Sequence, residues 1–93
     1  MQWALWREGL HWRRFDDTVL VYNDRSGATH RLNGLEGWVF ERLASDPADL
    51  DRLAVEAEQL VEASGQPHIR GVIARTLELL EQFAVARRLM PAA

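Results

Sequence analysis

From Leu10 to Leu32 the chain reads as three short runs with the period of two that strands show. From Asn33 onward apolar positions recur at intervals of three and four. Leu10 to Phe15 reads as a strand, with Leu10 and Trp12 on one face. Asp16-Asp17 forms a two-residue turn. Thr18 to Tyr22, "TVLVY", is β-branched and aromatic and is the strongest strand signal. "NDRSG" reads as a loop in which Gly27 is free to take a positive φ. Ala28 to Leu32 is a third strand, which completes an antiparallel meander. Leu20 and Tyr22 point away from Val19 and Val21. Neither face is cleanly polar, so both are expected to be partly covered.

Asn33 and Glu36 form a capping pattern, with Asn33 as the N-cap of a first helix. Leu35, Trp38, Val39 and Leu43 fall on one face of that helix. Asp46 is expected to cap a second helix with Pro47 in its first turn. This helix runs to about Ser64 on a stripe of Leu50, Leu53, Ala57, Leu60 and Val61. Gly65 supplies its C′ residue and Pro67 separates it from the next element. A third helix is expected from His68 to Leu89. Its apolar positions are Ile69, Val72, Ile73, Leu77, Leu79, Leu80 and Phe83, with Thr76 among them. Arg70, Arg75, Glu78, Glu81 and Gln82 hold the other side. At 3.6 residues per turn the apolar positions cover roughly 160° of arc. That is wider than one contact against a small sheet needs. Either the helix packs between two others, or part of its face lines a groove. The order β-β-β-α-α-α, with strands and helices segregated, is that of an α+β domain.

A chain of 93 residues is a single domain, spanning 1–93 with 1–9 and 90–93 as peripheral segments. Trp12 and Trp38 are expected in the core. Trp3 and Trp6, at helical spacing, either pack back on the domain or form an exposed contact surface. With 47% apolar and 27% charged residues the composition is that of an ordinary soluble protein. No run is long and apolar enough for a transmembrane helix, and "MQWALWREGLHW" does not read as a secretory signal, so the expected compartment is the cytoplasm. Absence of cysteine excludes disulfides, thiolate zinc sites and cysteine nucleophiles.

The net charge of −3 is unevenly distributed, and all 11 basic residues are Arg. Residues 34–65 hold two Arg against eight acids, whereas residues 66–93 hold four Arg against two. The acidic middle argues against a broad nucleic-acid surface. His11, His30 and His68 have no partner at metal-ligand spacing, so His30 reads as structural or groove-lining. Gly27, Gly34 and Gly37 fit no phosphate loop. Ser26, Ser45 and Ser64 read as turn and cap residues. Asp16-Asp17 reads as a solvated turn, since acid–base work needs a pocket to shift a pKa. A non-catalytic protein without cofactor or metal is expected.

The stretch "LHWRRFDDTVLVYNDRSGATHRLNGLEGWVFERLA", Leu10 to Ala44, resembles the PqqD-like family, also called the RiPP recognition element. "THRLN" and "GWVFERL" hold the places of the strand ending in Leu-Asn and of the following helix. "SGATH" together with Trp12 is similar in particular to the PqqD-like proteins of the HPr-rel-A system. The resemblance covers residues 8–90. It departs at "ARRLMP", where Arg88 stands at a position at which Gly is common. The resemblance implies a three-stranded antiparallel sheet followed by a three-helix winged-helix-like bundle. It implies a peptide chaperone that binds a precursor (leader) peptide by strand addition along Ala28, Thr29, His30, Arg31 and Leu32. The peptide would be held against the third helix, where Ile73, Thr76, Leu77 and Leu80 line the other wall. Arg31 and Arg70 would meet acidic side chains of the peptide. A modifying enzyme or HPr-kinase-related protein is the implied partner.

An open third strand offers unpaired backbone groups to such a peptide. One of the Thr29 and Arg31 amides is expected to point outward. Two other readings compete. A winged-helix-like bundle can bind DNA, but Asp49, Asp51, Glu56, Glu58 and Glu62 on the second helix, against Arg52 alone, oppose phosphate. Early in the third helix only Arg70 and Arg75 are basic. The same open edge can instead pair with a second copy, giving a homodimer.

Overall fold

The computed structural model describes residues 1–60 and 68–90. It is an α+β fold of two small antiparallel sheets and three helices. In chain order these are β1 (Gln2–Leu5), β2 (Leu10–Phe15), β3 (Thr18–Asn23), β4 (Ala28–Asn33), α1 (Leu35–Ser45), α2 (Leu50–Leu60), α3 (Ile69–Gln82) and β5 (Ala86–Leu89). β2, β3 and β4 form the expected meander, and β1 pairs with β5.

The period-two pattern of the meander sets its faces. Val19, Val21 and Asn23 of β3 and Leu32 of β4 point into the core. Leu20, Tyr22, Thr29 and Arg31 point out. α1 lies on the inner face and brings Val39, Phe40 and Leu43 to it. The approach is close at Gly37, where a Cβ would stand 3.0 Å from Val19 Cγ2 and 3.2 Å from the Leu32 carbonyl oxygen. Trp12, expected in the core, is 44% exposed. It lies at the sheet margin, edge-on to Phe40 with ring centroids 5.3 Å apart.

Helix starts differ from expectation by a few residues. The N-cap of α1 is Gly34, at φ 55°, and not Asn33. Asn33 ends β4, and its N–H donates to Glu36 Oε1 at 3.2 Å, so Glu36 does reach back as anticipated. α2 begins at Leu50, where Asp49 Oδ1 accepts the Arg52 N–H at 2.8 Å. Asp46 instead ends α1 in an extended conformation. The reason lies in Ala48, which is drawn into a bridge with Trp3: each N–H donates to the other's carbonyl, at 2.8 and 3.1 Å. Arg42 fastens the two helices, with Nε donating to Glu56 Oε1 at 2.7 Å and Nη1 to Asp46 Oδ1 at 2.9 Å. The expected end of α2 near Ser64, with Val61, Gly65 and Pro67, lies outside the described residues.

The largest correction concerns the third helix, which stops at Gln82 rather than Leu89. Ala84 takes φ 59°. Its N–H donates to the Glu81 carbonyl, and the Val85 N–H reaches the Leu80 carbonyl at 2.9 Å. This is the Schellman arrangement, built on alanine where glycine is usual. Without a glycine the sequence carries no visible stop. Arg88 lies in β5, outside the cap. "ARRL" then becomes a strand because β1 supplies a ladder for it, an instance of tertiary pairing overriding helix propensity.

Residues 1–9 are likewise not peripheral. Trp3, Ala4 and Leu5 are buried. The helical spacing of Trp3 and Trp6 belongs to an extended segment, in which Trp6 N–H donates to the Val85 carbonyl. Trp6 is covered by Arg25 and Arg87, with guanidinium carbons 4.9 and 4.8 Å from its ring centroid. The wide apolar arc of α3 is largely consumed inside the fold. Ile69, Ile73, Thr76, Leu77 and Leu80 are buried among α1, α2 and β5.

Candidate functional site

The edge of β4 is the place to test for strand addition. A two-residue turn makes Phe15 and Thr18 a hydrogen-bonded pair. Alternation then assigns the amides of Val19, Val21 and Asn23 to β4. Two bonds beyond the strand ends fit this phase: Asp24 N–H to the Gly9 carbonyl at 2.8 Å, and Gly34 N–H to the Asp17 carbonyl at 2.9 Å. It follows that Leu32, His30 and Ala28 bond to β3. The N–H and C=O of Thr29, Arg31 and Asn33 face away from it. The Thr29 and Arg31 amides therefore both point outward, which corrects the expectation that only one would. The Asn33 amide is taken by Glu36. No strand among the described residues pairs with this side of β4.

Beside the edge lies the end of α3. The His30 imidazole, on the inner face of β4, stacks on Phe83 with centroids 3.9 Å apart and planes 9° off parallel. His30 Nε2 is buried and has no hydrogen-bond partner among the described residues. Asn23, fully buried, holds the junction: Nδ2 donates to the Phe83 and Ala84 carbonyls at 3.3 and 3.2 Å, and Oδ1 accepts the Arg25 N–H. Along α3, Val72, Leu79 and Phe83 share the Phe83 side by 3.6-residue periodicity and are half-buried.

The expected site residues divide accordingly. Ala28, Thr29, His30, Arg31 and Leu32 form one strand, with Thr29 and Arg31 exposed and Leu32 buried. Ile73, Thr76, Leu77 and Leu80 are core residues that present almost no surface, and the Thr76 hydroxyl donates to the Val72 carbonyl at 2.8 Å. Arg70 sits in the first turn of α3 and pairs with Asp51 of α2. It is about 20 Å along the helix from Phe83 at 1.5 Å per residue. Phe83 and Asn23 were not singled out for the site. Phe83 was legible as an apolar helix position, whereas Asn23 carried no signal beyond a turn residue.

Electrostatic perturbation lies elsewhere. Glu56 is held below the usual carboxylate range by its hydrogen bond from Arg42, and Arg42 is raised by the same bond. Arg14 is raised by its bond to Glu41. No group of three or more potential metal ligands occurs among the described residues. No helix among them is long and apolar enough to cross a membrane. No family model, curated protein or solved structure matches the chain.

Proposed function

We propose that this chain is a non-catalytic peptide-binding protein. It takes an extended segment of a precursor peptide as an added strand on β4 and presents it to a partner modifying enzyme. The observation that carries the reading is the pair of outward amide and carbonyl groups at Thr29 and Arg31 on an unpaired edge. Phe83, at the C-cap of α3, stacks on His30 of the same strand, and Val72 and Leu79 share its side of the helix. Backbone pairing supplies affinity, and side chains alternating toward the helix supply selectivity. The resemblance to the PqqD-like family supports the same site and, with it, a winged-helix-like order of the three helices. The helical wall differs from the one expected: Val72, Leu79 and Phe83 replace Ile73, Leu77 and Leu80, which the core already uses.

The test begins with small peptides retained by the tagged protein in its native cells, identified by mass spectrometry and then synthesised. Hydrogen exchange with the synthetic peptide should show new protection at the Thr29 and Arg31 amides. Thr29→Pro and Arg31→Pro each remove an outward donor without touching the β3 ladder. Each should weaken binding by an order of magnitude or more while the circular dichroism spectrum is kept. Full affinity in both folded variants would sink strand addition at this edge.

A further inference from the structure

The outer face of the meander carries exposed apolar side chains that the core does not use. Its register makes three rows across β2, β3 and β4: His11, Tyr22 and Thr29; Arg13, Leu20 and Arg31; Phe15, Thr18 and Asn33. Phe15 is 50% exposed and Tyr22 42%. A shallow open depression runs between Phe15, Leu20 and Tyr22. Arg13 and Arg31 flank Leu20 and make no ion pair among the described residues. An apolar floor between two unneutralised arginines suits an apolar residue set between two carboxylates. Two strand spacings separate the arginine backbones by about 10 Å.

One element of this chain presents that complement. Asp51, Val55 and Glu58 of α2 stand at i, i+4 and i+7, on one stripe of the helix. All three are exposed, Val55 at 55%. Two helical turns put Asp51 and Glu58 about 10 Å apart along the axis, the spacing of the arginine row. Glu58 has no ion pair among the described residues. Asp51 pairs with Arg70 only at the surface, where such a pair contributes little and is readily exchanged. Single-stranded nucleic acid fits less well: the face offers two arginines, its corners carry Asp16, Asp17 and Asp24, and the chain is net acidic.

We propose that the occupant of this face is a second copy of the chain, with α2 of one copy lying across the outer sheet face of the next. Arg13 meets one carboxylate, Arg31 the other, and Val55 seats on Leu20 between Phe15 and Tyr22. The contact is heterologous, so it propagates head to tail. One helix on one three-stranded face falls at the small end of specific interfaces, which makes the association weak and reversible. Because the carboxylates and arginines sit near solvent, added salt loosens it. The β4 edge stays free, so the association is independent of peptide binding.

The experiment exploits the polarity of the contact. Arg13→Glu with Arg31→Glu spoils the sheet face and leaves the helix intact. Asp51→Arg with Glu58→Arg does the converse. Sedimentation equilibrium at low salt should show wild-type mass rising with concentration into the millimolar range. Each double variant should remain a monomer. Their equimolar mixture should associate again and grow with concentration, since the intact helix of one meets the intact sheet of the other and the two reversed faces carry opposite charges at the same spacing. Val55→Asp, at an exposed position away from Arg70, should be monomeric with an unchanged circular dichroism spectrum. This second variant keeps the test decisive if the arginine pair disturbs α2. A wild type that is monomeric throughout overturns the proposal. So does a mixture of folded variants that stays monomeric, or self-association untouched by Val55→Asp, which would point to pairing of β4 edges instead.

Discussion

β2, β3 and β4 follow one another through short turns at Asp16-Asp17 and Asp24–Gly27, and every pairing joins chain neighbours. β1 and β5 come from opposite parts of the chain, with Leu5 opposite Ala86 and Gln2 opposite Leu89. Both sheets deliver apolar side chains to one core: Val19, Val21 and Leu32 from the first, Leu5 and Ala86 from the second. The local sheet forms at small loop-closure cost. The distant one forms only once the helices have brought its strands together. The second sheet is nevertheless part of the core's wall, because β1 is held on one side by β5 and on the other by Ala48.

Leu5→Ala and Leu32→Ala compare the two sheets directly, since both leucines are buried to a similar degree. Each substitution should cost about 2–4 kcal/mol in urea unfolding, the range for a buried leucine truncated to alanine. A Leu5 variant near wild-type stability beside a crippled Leu32 variant would break the comparison and make β1 and β5 an appendage. Gly37→Ala asks how tightly α1 is set on the meander. The new methyl meets Val19 Cγ2 and the Leu32 carbonyl, and the carbonyl is backbone that cannot step aside. A net loss of about 1–2 kcal/mol is expected despite alanine's better helix propensity. A gain in stability would mean that the helix rides freely over the sheet.

The meander was legible because its signals are local: alternation, a two-residue turn, and a loop with Gly27. The β1–β5 sheet was not, because nothing within Gln2–Leu5 or Ala86–Leu89 names its partner. "ARRL" is a fair helix sequence in isolation. The site divided along the same line. Its strand was readable as a strand, and the outward phase of Thr29 and Arg31 follows from turn chemistry once Asp16-Asp17 is accepted as the turn. The helical positions expected for it, Ile73, Thr76, Leu77 and Leu80, are core residues. An apolar stripe does not say which of its members the core will take, and Ile73, Leu77 and Leu80 went to α1 and α2. The Phe83–His30 stack depends on where α3 stops, and that stop is an alanine.

That stop yields the next prediction. Each sheet is entered through a non-glycine residue in the left-handed region: Asp16 at φ 54° leads into β3, and Ala84 at φ 59° leads into β5. Ala84→Gly should stabilise the protein by about 1 kcal/mol, because glycine carries no Cβ penalty at a helix C′ position. Asp16→Gly should gain somewhat less, about 0.5 kcal/mol, since aspartate tolerates this region better than alanine and glycine adds entropy to the unfolded chain. Both are read as shifts in the urea midpoint at constant slope. If Ala84→Gly alone is neutral, the end of α3 is held by Asn23 and the β1–β5 ladder rather than by its own backbone preference.

The smallest effect concerns the joint between the two sheets, where α1 on the meander passes to Ala48 against β1. Arg42 spans this joint through Asp46 and Glu56. Its hydrogen bond holds the Glu56 carboxyl below its ordinary value. A carboxyl whose folded pKa is depressed contributes stability above its unfolded pKa and loses that contribution as pH falls through the folded one. The contribution is therefore complete at neutral pH and disappears in the acid range below about pH 4.3, the ordinary glutamate value. Both groups are partly solvated, so screening leaves about 0.5 kcal/mol. Arg42→Met keeps the aliphatic stem and removes the partner. Its destabilisation relative to wild type should be present at pH 7 and shrink as the pH is lowered through the acid range. A deficit that stays constant with pH would assign the role of Arg42 to its hydrogen bond to the Asp46 carbonyl, which does not titrate, and the joint would then be held by the end of α1 rather than by the carboxylate of α2.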